Sequence, residues 1–161
     1  MTSLRIGHGI DAHRLVDGRR LMLGGVHVDF DRGLEGHSDG DAVAHALADA
    51  ILGGAGLGDI GVHFPSAEER WRDVSGVDLL RSVASMARDA GWEVSSAQVV
   101  ALAEQPRLAP YVAAMSVAMA AALGVTAERV AVSASTTDGM GLVGRLEGIV
   151  ASAVVLLAPI S

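Results

Sequence analysis

The sequence contains no cysteine. Disulfides and thiolate metal sites are therefore excluded, and any metal must be held by His, Asp or Glu. Aromatic residues make up only 3 % of the 161 positions. A core must then be built from Ala, Val, Leu, Ile and Met, and with 50 % apolar residues there is ample material for one domain spanning 1–161. No apolar run reaches the ~18 residues of a membrane span; the stretch from Ile149 to Pro159 is of strand length. No signal peptide is read in Met1-Thr2-Ser3-Leu4-Arg5. The expectation is a cytoplasmic protein with no membrane partner. Basic residues are in deficit, with a formal net charge of −7 and no basic stripe, so nucleic acid is not expected to bind. An anionic substrate would need local compensation from metal ions, a few arginines or helix N-termini.

The pattern along the chain predicts strands over Arg5–Val16 and Arg20–Val28, the second with a Gly24-Gly25 turn. Asp31 to Gly40 reads as a loop. A helix follows, capped by Ser38 or Asp39, striped by Val43, Leu47, Ala50 and Ile51, and ended by Gly53-Gly54. Leu57 to Ser66 reads as a second loop. Val77 to Ala90 is an amphipathic helix closed by Gly91. Trp92 to Glu104 is a strand, and Pro110 opens a third helix carrying Val112, Met115, Met119 and Leu123 until Gly124. Arg129 to Thr136 and Gly148 to Ala158 are strands separated by a glycine-rich loop. The class is α/β in content (α+β): one domain with a mainly antiparallel or mixed sheet covered by three helices.

Two constellations carry chemistry. Asp11 and His13 alternate onto one face of a strand, so their tips can converge on one ion. Downstream, His37-Ser38-Asp39-Gly40-Asp41 precedes His45, with Asp41 and His45 on one helix face. A carboxylate and two imidazoles suit Zn²⁺ with a fourth position open to substrate, and another borderline divalent ion fits as well. The second constellation is Ser135-Thr136-Thr137-Asp138 leading to Arg145. Gly139, Gly141 and Gly144 match the dinucleotide pattern G-x-G-x-x-G, but a strand rather than a long helix follows, so that reading is rejected. A phosphate loop is the better reading. The hydroxyls donate to phosphate oxygens, Asp138 holds Mg²⁺ or Mn²⁺, and Arg145 pairs with a diphosphate. An ordinary strand end followed by a glycine turn remains the alternative.

Five segments together resemble the 2-C-methyl-D-erythritol 2,4-cyclodiphosphate synthase family. They are Gly7-His8-Gly9-Ile10-Asp11-Ala12-His13; His37-Ser38-Asp39-Gly40-Asp41 with His45; Leu57-Gly58-Asp59-Ile60-Gly61; Ala103-Glu104-Gln105-Pro106-Arg107; and Ser135-Thr136-Thr137-Asp138 through Gly144-Arg145-Leu146-Glu147-Gly148. The resemblance spans nearly the whole chain. It implies a lyase of the non-mevalonate route of isoprenoid (terpenoid) biosynthesis. The 2-phosphate of 4-diphosphocytidyl-2-C-methyl-D-erythritol 2-phosphate attacks its own β-phosphate, and CMP leaves.

By the same resemblance Asp11, His13 and His45 are metal ligands, and His37 and Thr136 stabilise the transition state. Ser38 touches substrate, Asp59, Ile60 and Gly61 hold the ribose, and Ala103, Pro106 and Arg107 belong to the cytosine pocket. Ser135 and Thr137 flank the phosphates, and Asp138 binds a second cation. The family is a homotrimer with active sites between subunits and an axial cavity that takes isoprenoid diphosphates, to which Leu142 and Arg145 correspond. Three positions depart from its commonest pattern: Asp138 replaces Glu, Leu142 replaces an aromatic, and Ser66 replaces an acidic residue. Two other readings predict different outcomes. A binding protein for isoprenoid diphosphates would bind without turnover, and a metal phosphoesterase would release linear products.

Overall fold

The computed structural model describes residues 3–161. Strand β1 runs over Arg5–Asp17, and the short strands β2 (Leu21–Leu23) and β3 (Val26–Val28) form a hairpin. Gly24 and Gly25 turn it with φ 57° and 76°, the left-handed pair that a two-residue hairpin loop demands. Strand β4 (Arg32–Leu34) then pairs antiparallel with the end of β1. Helix α1 covers Ala42–Ala55, the single turn α2 Ile60–His63, and helix α3 Gly76–Asp89. Strand β5 (Trp92–Leu102), helix α4 (Val112–Leu123), strand β6 (Val130–Ser135), the single turn α5 (Gly141–Gly144) and strand β7 (Gly148–Pro159) complete the chain.

The main sheet has the order β4-β1-β7-β5-β6. All neighbours are antiparallel except β5 and β6, which run parallel. The sheet is therefore mixed. Three long helices cover one face: α1 on β1 and β7, α3 on α1 and α4, and α4 on β6. Leu47, Ile51, Leu80, Met115, Met119, Ile149 and Leu157 fill the space between, all fully buried. Alternation sends the other side chains of β1 and β7 to the uncovered face. There Ile6, Ile10 and Val154 are 75 %, 59 % and 47 % exposed.

Several local expectations change. The cap of α1 is Asp41, whose carboxylate accepts from the Ala44 N–H, and not Ser38 or Asp39. The helix also runs through Gly53 and Gly54 to a left-handed Gly56, whose N–H reaches the Gly53 and Leu52 carbonyls. Gly54 marks a close approach rather than a stop, while Gly53 faces open space. Gly54 lies against Gly7 of β1, and a Cβ on Gly7 or Gly9 would run into the Ala50 or Ala46 carbonyl. The three stretches read as loops hold β4, α2 and α5, each too short for periodicity to reveal. Besides the three long helices there are thus two single turns, with 3₁₀ turns at Glu69–Trp71 and Ala127–Arg129.

Candidate active site

Asp11 and His13 leave β1 on the same side, and His45 descends from the first turns of α1. His13 Nε2 lies 2.8 Å from Asp11 Oδ2, and His45 Nδ1 lies 3.3 Å from both. The outer ring nitrogens are both held. His13 Nδ1 is 2.6 Å from the Glu35 carbonyl, to which it can only donate. His45 Nε2 is 3.3 Å from Ser38 Oγ, a hydroxyl able to donate or accept. His13 thus turns an unprotonated nitrogen inward, the arrangement of a histidine held for a metal. Asp11 Oδ2 is buried and, although close to both rings, makes no hydrogen bond of acceptable geometry. Three lone-pair donors meeting at one point with one oxygen unsatisfied fit a divalent cation. Burial pushes the Asp11 carboxyl up, but His13 and His45 beside it outweigh burial and hold it well below its ordinary range. Burial pulls His13 down, and the Asp11 carboxylate overrides that, so the His13 value is raised. Protons and a cation therefore compete for the same centre.

The segment from His37 to Asp41 braces this centre. Asp41 is fully buried. It does not share the metal face of α1 as the four-residue spacing suggested. Its oxygens instead accept 2.7 Å hydrogen bonds from Gly24 N and Gly25 N, which ties the hairpin turn to the start of α1. Asp39 accepts from Asp41 N at 3.1 Å and Gly76 N at 2.9 Å, joining the segment to α3. The Ser38 hydroxyl orients His45 and accepts from Gly40 N. The His37 carbonyl accepts from Asp73 N, and its Nε2 is buried without a partner.

These residues open into one pocket. Asp11, His13, His37, Ser38 and His45 form its polar side, and Ile60, Gly61, Phe64, Trp71 and Leu79 line the rest. Asp59 caps α2 through the Val62 N–H, and Asp49 accepts from Ile60 N at 2.8 Å. Burial, with help from Asp59 and Asp11, raises the Asp49 carboxyl above its ordinary value despite that hydrogen bond. Asp49, Trp71 and Phe64 were not singled out from the sequence. Only Asp49 carried a signal, four residues beyond His45 on α1.

A second pocket lies at the ends of the parallel strands β5 and β6. Ala103, Pro106 and Arg107 line it together with Ser135 and Thr136. Beyond it, Thr136 Oγ1 donates to Asp138 Oδ1 at 3.3 Å and accepts from Asp138 N, while Thr137 Oγ1 donates to the Met140 carbonyl. Arg145 pairs with Glu147 at 2.8 Å, and Leu142 is 44 % exposed. The two pockets share no lining residue. One chain therefore assembles the metal-side residues in one place and the phosphate-loop residues in another.

Residues 4–158 match the family model described as the YgbB family. The chain belongs to the YgbB family. Among YgbB relatives, the 2-C-methyl-D-erythritol 2,4-cyclodiphosphate synthase of Moorella thermoacetica is 54 % identical over 96 % of this chain and 94 % of its own length. That of Symbiobacterium thermophilum is 50 % identical over 95 % and 98 %. The bifunctional IspDF from Campylobacter jejuni superposes with a TM-score of 0.96 at 35 % identity, covering all of this chain and 44 % of the longer one. A solved 2C-methyl-D-erythritol-2,4-cyclodiphosphate synthase in a CDP-bound form gives 0.86 at 36 % identity, covering 95 % and 99 %. The chain thus shares its fold with these solved structures and matches the two single-function relatives over nearly their whole length. Among the described residues, no helix is long and apolar enough to cross a membrane.

Proposed function

We propose that the protein is a metal-dependent phosphorus–oxygen lyase. It converts 4-diphosphocytidyl-2-C-methyl-D-erythritol 2-phosphate to 2-C-methyl-D-erythritol 2,4-cyclodiphosphate and CMP, in the cytoplasm, within the non-mevalonate isoprenoid route. The observation that carries this reading is the convergence of Asp11 Oδ2, His13 Nε2 and His45 Nδ1 beside His37 in a chain of this family. A 2-phosphate oxygen forms a bond to the β-phosphorus. The bond from that phosphorus to the bridging oxygen breaks, and CMP departs with the electron pair. Such transfers need positioning and charge neutralisation more than covalent help.

A divalent ion, best matched by Zn²⁺ among these ligands, would be held by Asp11, His13 and His45 and would supply charge neutralisation between the two reacting phosphates. His37 Nε2, which has no partner among the described residues, is free to donate to a phosphate oxygen. Ser38 orients His45 and faces the same pocket. Asp59, Ile60 and Gly61 hold the ribose, and Ala103, Pro106 and Arg107 enclose the cytosine of a neighbouring site. Ser135, Thr136 and Thr137 donate hydroxyls to phosphate oxygens, and Asp138 holds Mg²⁺ or Mn²⁺ on the diphosphate.

The separation of the two pockets, together with the exposed Ile6, Ile10 and Val154, supports a homotrimer in which one copy's Thr136 loop completes another copy's metal pocket. Leu142 and Arg145 would face the trimer axis. Isoprenoid diphosphates would bind there more weakly than beside an aromatic residue.

The test is turnover followed by ³¹P NMR with metal-loaded protein. CMP and a cyclic diphosphate are expected, and His45→Ala or chelation lowers the rate at least about a hundredfold. Linear methylerythritol phosphates would establish a phosphoesterase instead. Binding of an isoprenoid diphosphate with no CMP at all would sink the lyase reading.

A further inference from the structure

Arg19 lies in the turn between β1 and β2, outside every segment that suggested the reaction. Its guanidinium reaches across to the His37 segment. Nη1 donates to the Gly36 carbonyl at 2.9 Å and Nη2 to the Ser38 carbonyl at 2.7 Å. One planar fork thus holds the two carbonyls that flank His37. The carbonyl of His37 itself is taken by the Asp73 N–H at 2.9 Å, so three consecutive carbonyls are anchored from two sides. Asp73 sits at φ 57°, in the left-handed region that aspartate enters more readily than most residues. The main chain of Arg19 is wedged as well, since a Cβ on Gly33 of β4 would strike the Arg19 and Arg20 carbonyls.

We infer that Arg19 is a positioning residue for the reaction, fixing the His37-Ser38 peptide so that His37 meets the transferring phosphate and Ser38 keeps its hydrogen bond to His45. The linkage runs along bonds already described. Arg19 holds the Ser38 carbonyl, and the Ser38 hydroxyl is hydrogen-bonded to His45 Nε2, which orients the ring with Nδ1 turned toward Asp11 and His13. An arginine suits this task because a rigid fork fixes two acceptors at once, and a lysine ammonium on a flexible stem does not. Half-buried and aimed at main-chain carbonyls, the guanidinium has no carboxylate partner among the described residues and touches none of the ligand atoms.

The inference rests on the lyase reading for its kinetic half, so the experiment carries a second, independent half. Arg19→Met keeps the aliphatic stem and removes the fork, and Arg19→Lys keeps one charge. In zinc-loaded protein, kcat and KM for CMP release are measured beside the ¹⁵N resonances of the His37 and His45 rings. For Arg19→Met, kcat is expected to fall about tenfold to a hundredfold with little change in KM, because misplacement by a fraction of an ångström penalises the transition state. Both ring resonances should move, Arg19→Lys should recover only part of the rate, and millimolar guanidinium should restore part of it to Arg19→Ala. An unchanged kcat with unmoved resonances overturns the inference. So does a rate loss equal to the loss of folded protein that guanidinium does not recover. Should Arg19→Met not fold, Arg19→Lys decides by the same readings. A wild type that releases no CMP refutes the lyase reading alone, and the ring resonances still judge the clamp.

Discussion

The metal pocket and the Thr136 loop are built in opposite ways. Around Asp11, His13 and His45, hydrogen bonds arrive from Glu35 just after β4, from the β2–β3 turn through Asp41, and from the start of α3 through Asp39. Between Ser135 and Arg145 the side-chain hydrogen bonds are short-range, Thr136 to Asp138 and Thr137 to Met140, with one 3.4 Å reach from Gly139 N to Glu104. Most of that loop is exposed. A site that must hold a cation at fixed ligand distances has its rigidity built into the chain. A loop that only presents hydroxyls to a phosphate can take its final order from whatever it docks against. The difference predicts that damage to the first region costs folding and function together, and that damage to the second costs function alone.

The sharpest way to break this comparison is Asp41→Ala. It strips three backbone donors of their acceptor in a fully buried place. A loss of at least about 3 kcal/mol is expected in urea unfolding, together with weakened metal binding. Stability within about 0.5 kcal/mol of wild type would show that the brace is dispensable. Next in size is Thr136→Val, which removes an exposed hydroxyl without changing shape. Here kcat should fall about tenfold to a hundredfold while the unfolding midpoint stays put, since surface changes shift stability little. A clear loss of stability would mean that the loop is part of the chain's own framework.

The smallest effect is expected at Asp49. Its folded carboxyl is raised, so the folded state keeps that proton to higher pH than the unfolded state does, and its contribution to stability falls as pH rises through the window just above about 4. Asp49→Asn retains an acceptor for Ile60 N and removes the charge. The variant should match wild type near pH 4 and exceed it slightly at neutral pH in chemical denaturation. An equal pH slope for both would contradict the assignment.

Much of this was legible in the sequence. The Asp11-x-His13 alternation, the Gly24-Gly25 turn and the boundaries of α3, expected over 77–90 and found over Gly76–Asp89, follow from local rules. What escaped depends on long-range approach. Gly53-Gly54 is locally indistinguishable from a helix stop, and only the proximity of Gly7 makes Gly54 a packing contact. Asp41 looked like a companion of His45 until the hairpin turn arrived beside it from seventeen residues upstream. Arg19 carries no pattern at all, because main-chain carbonyls leave no trace in side-chain spacing. The split of the site residues into two pockets follows from no spacing rule either; only the family resemblance, which implies sites between subunits, anticipates it.

The contact of α1 with β1 at Gly7 and Gly9 has a last consequence. Asp11 and His13 ride on that strand and His45 on that helix, so the gap between backbones would work as a calliper on an ion held by the three. A single methyl group at either glycine would open the jaws by forcing helix and strand apart. A mutational screen for lost metal affinity should therefore return, beside the three ligands, two residues that have no side chain and never touch the ion.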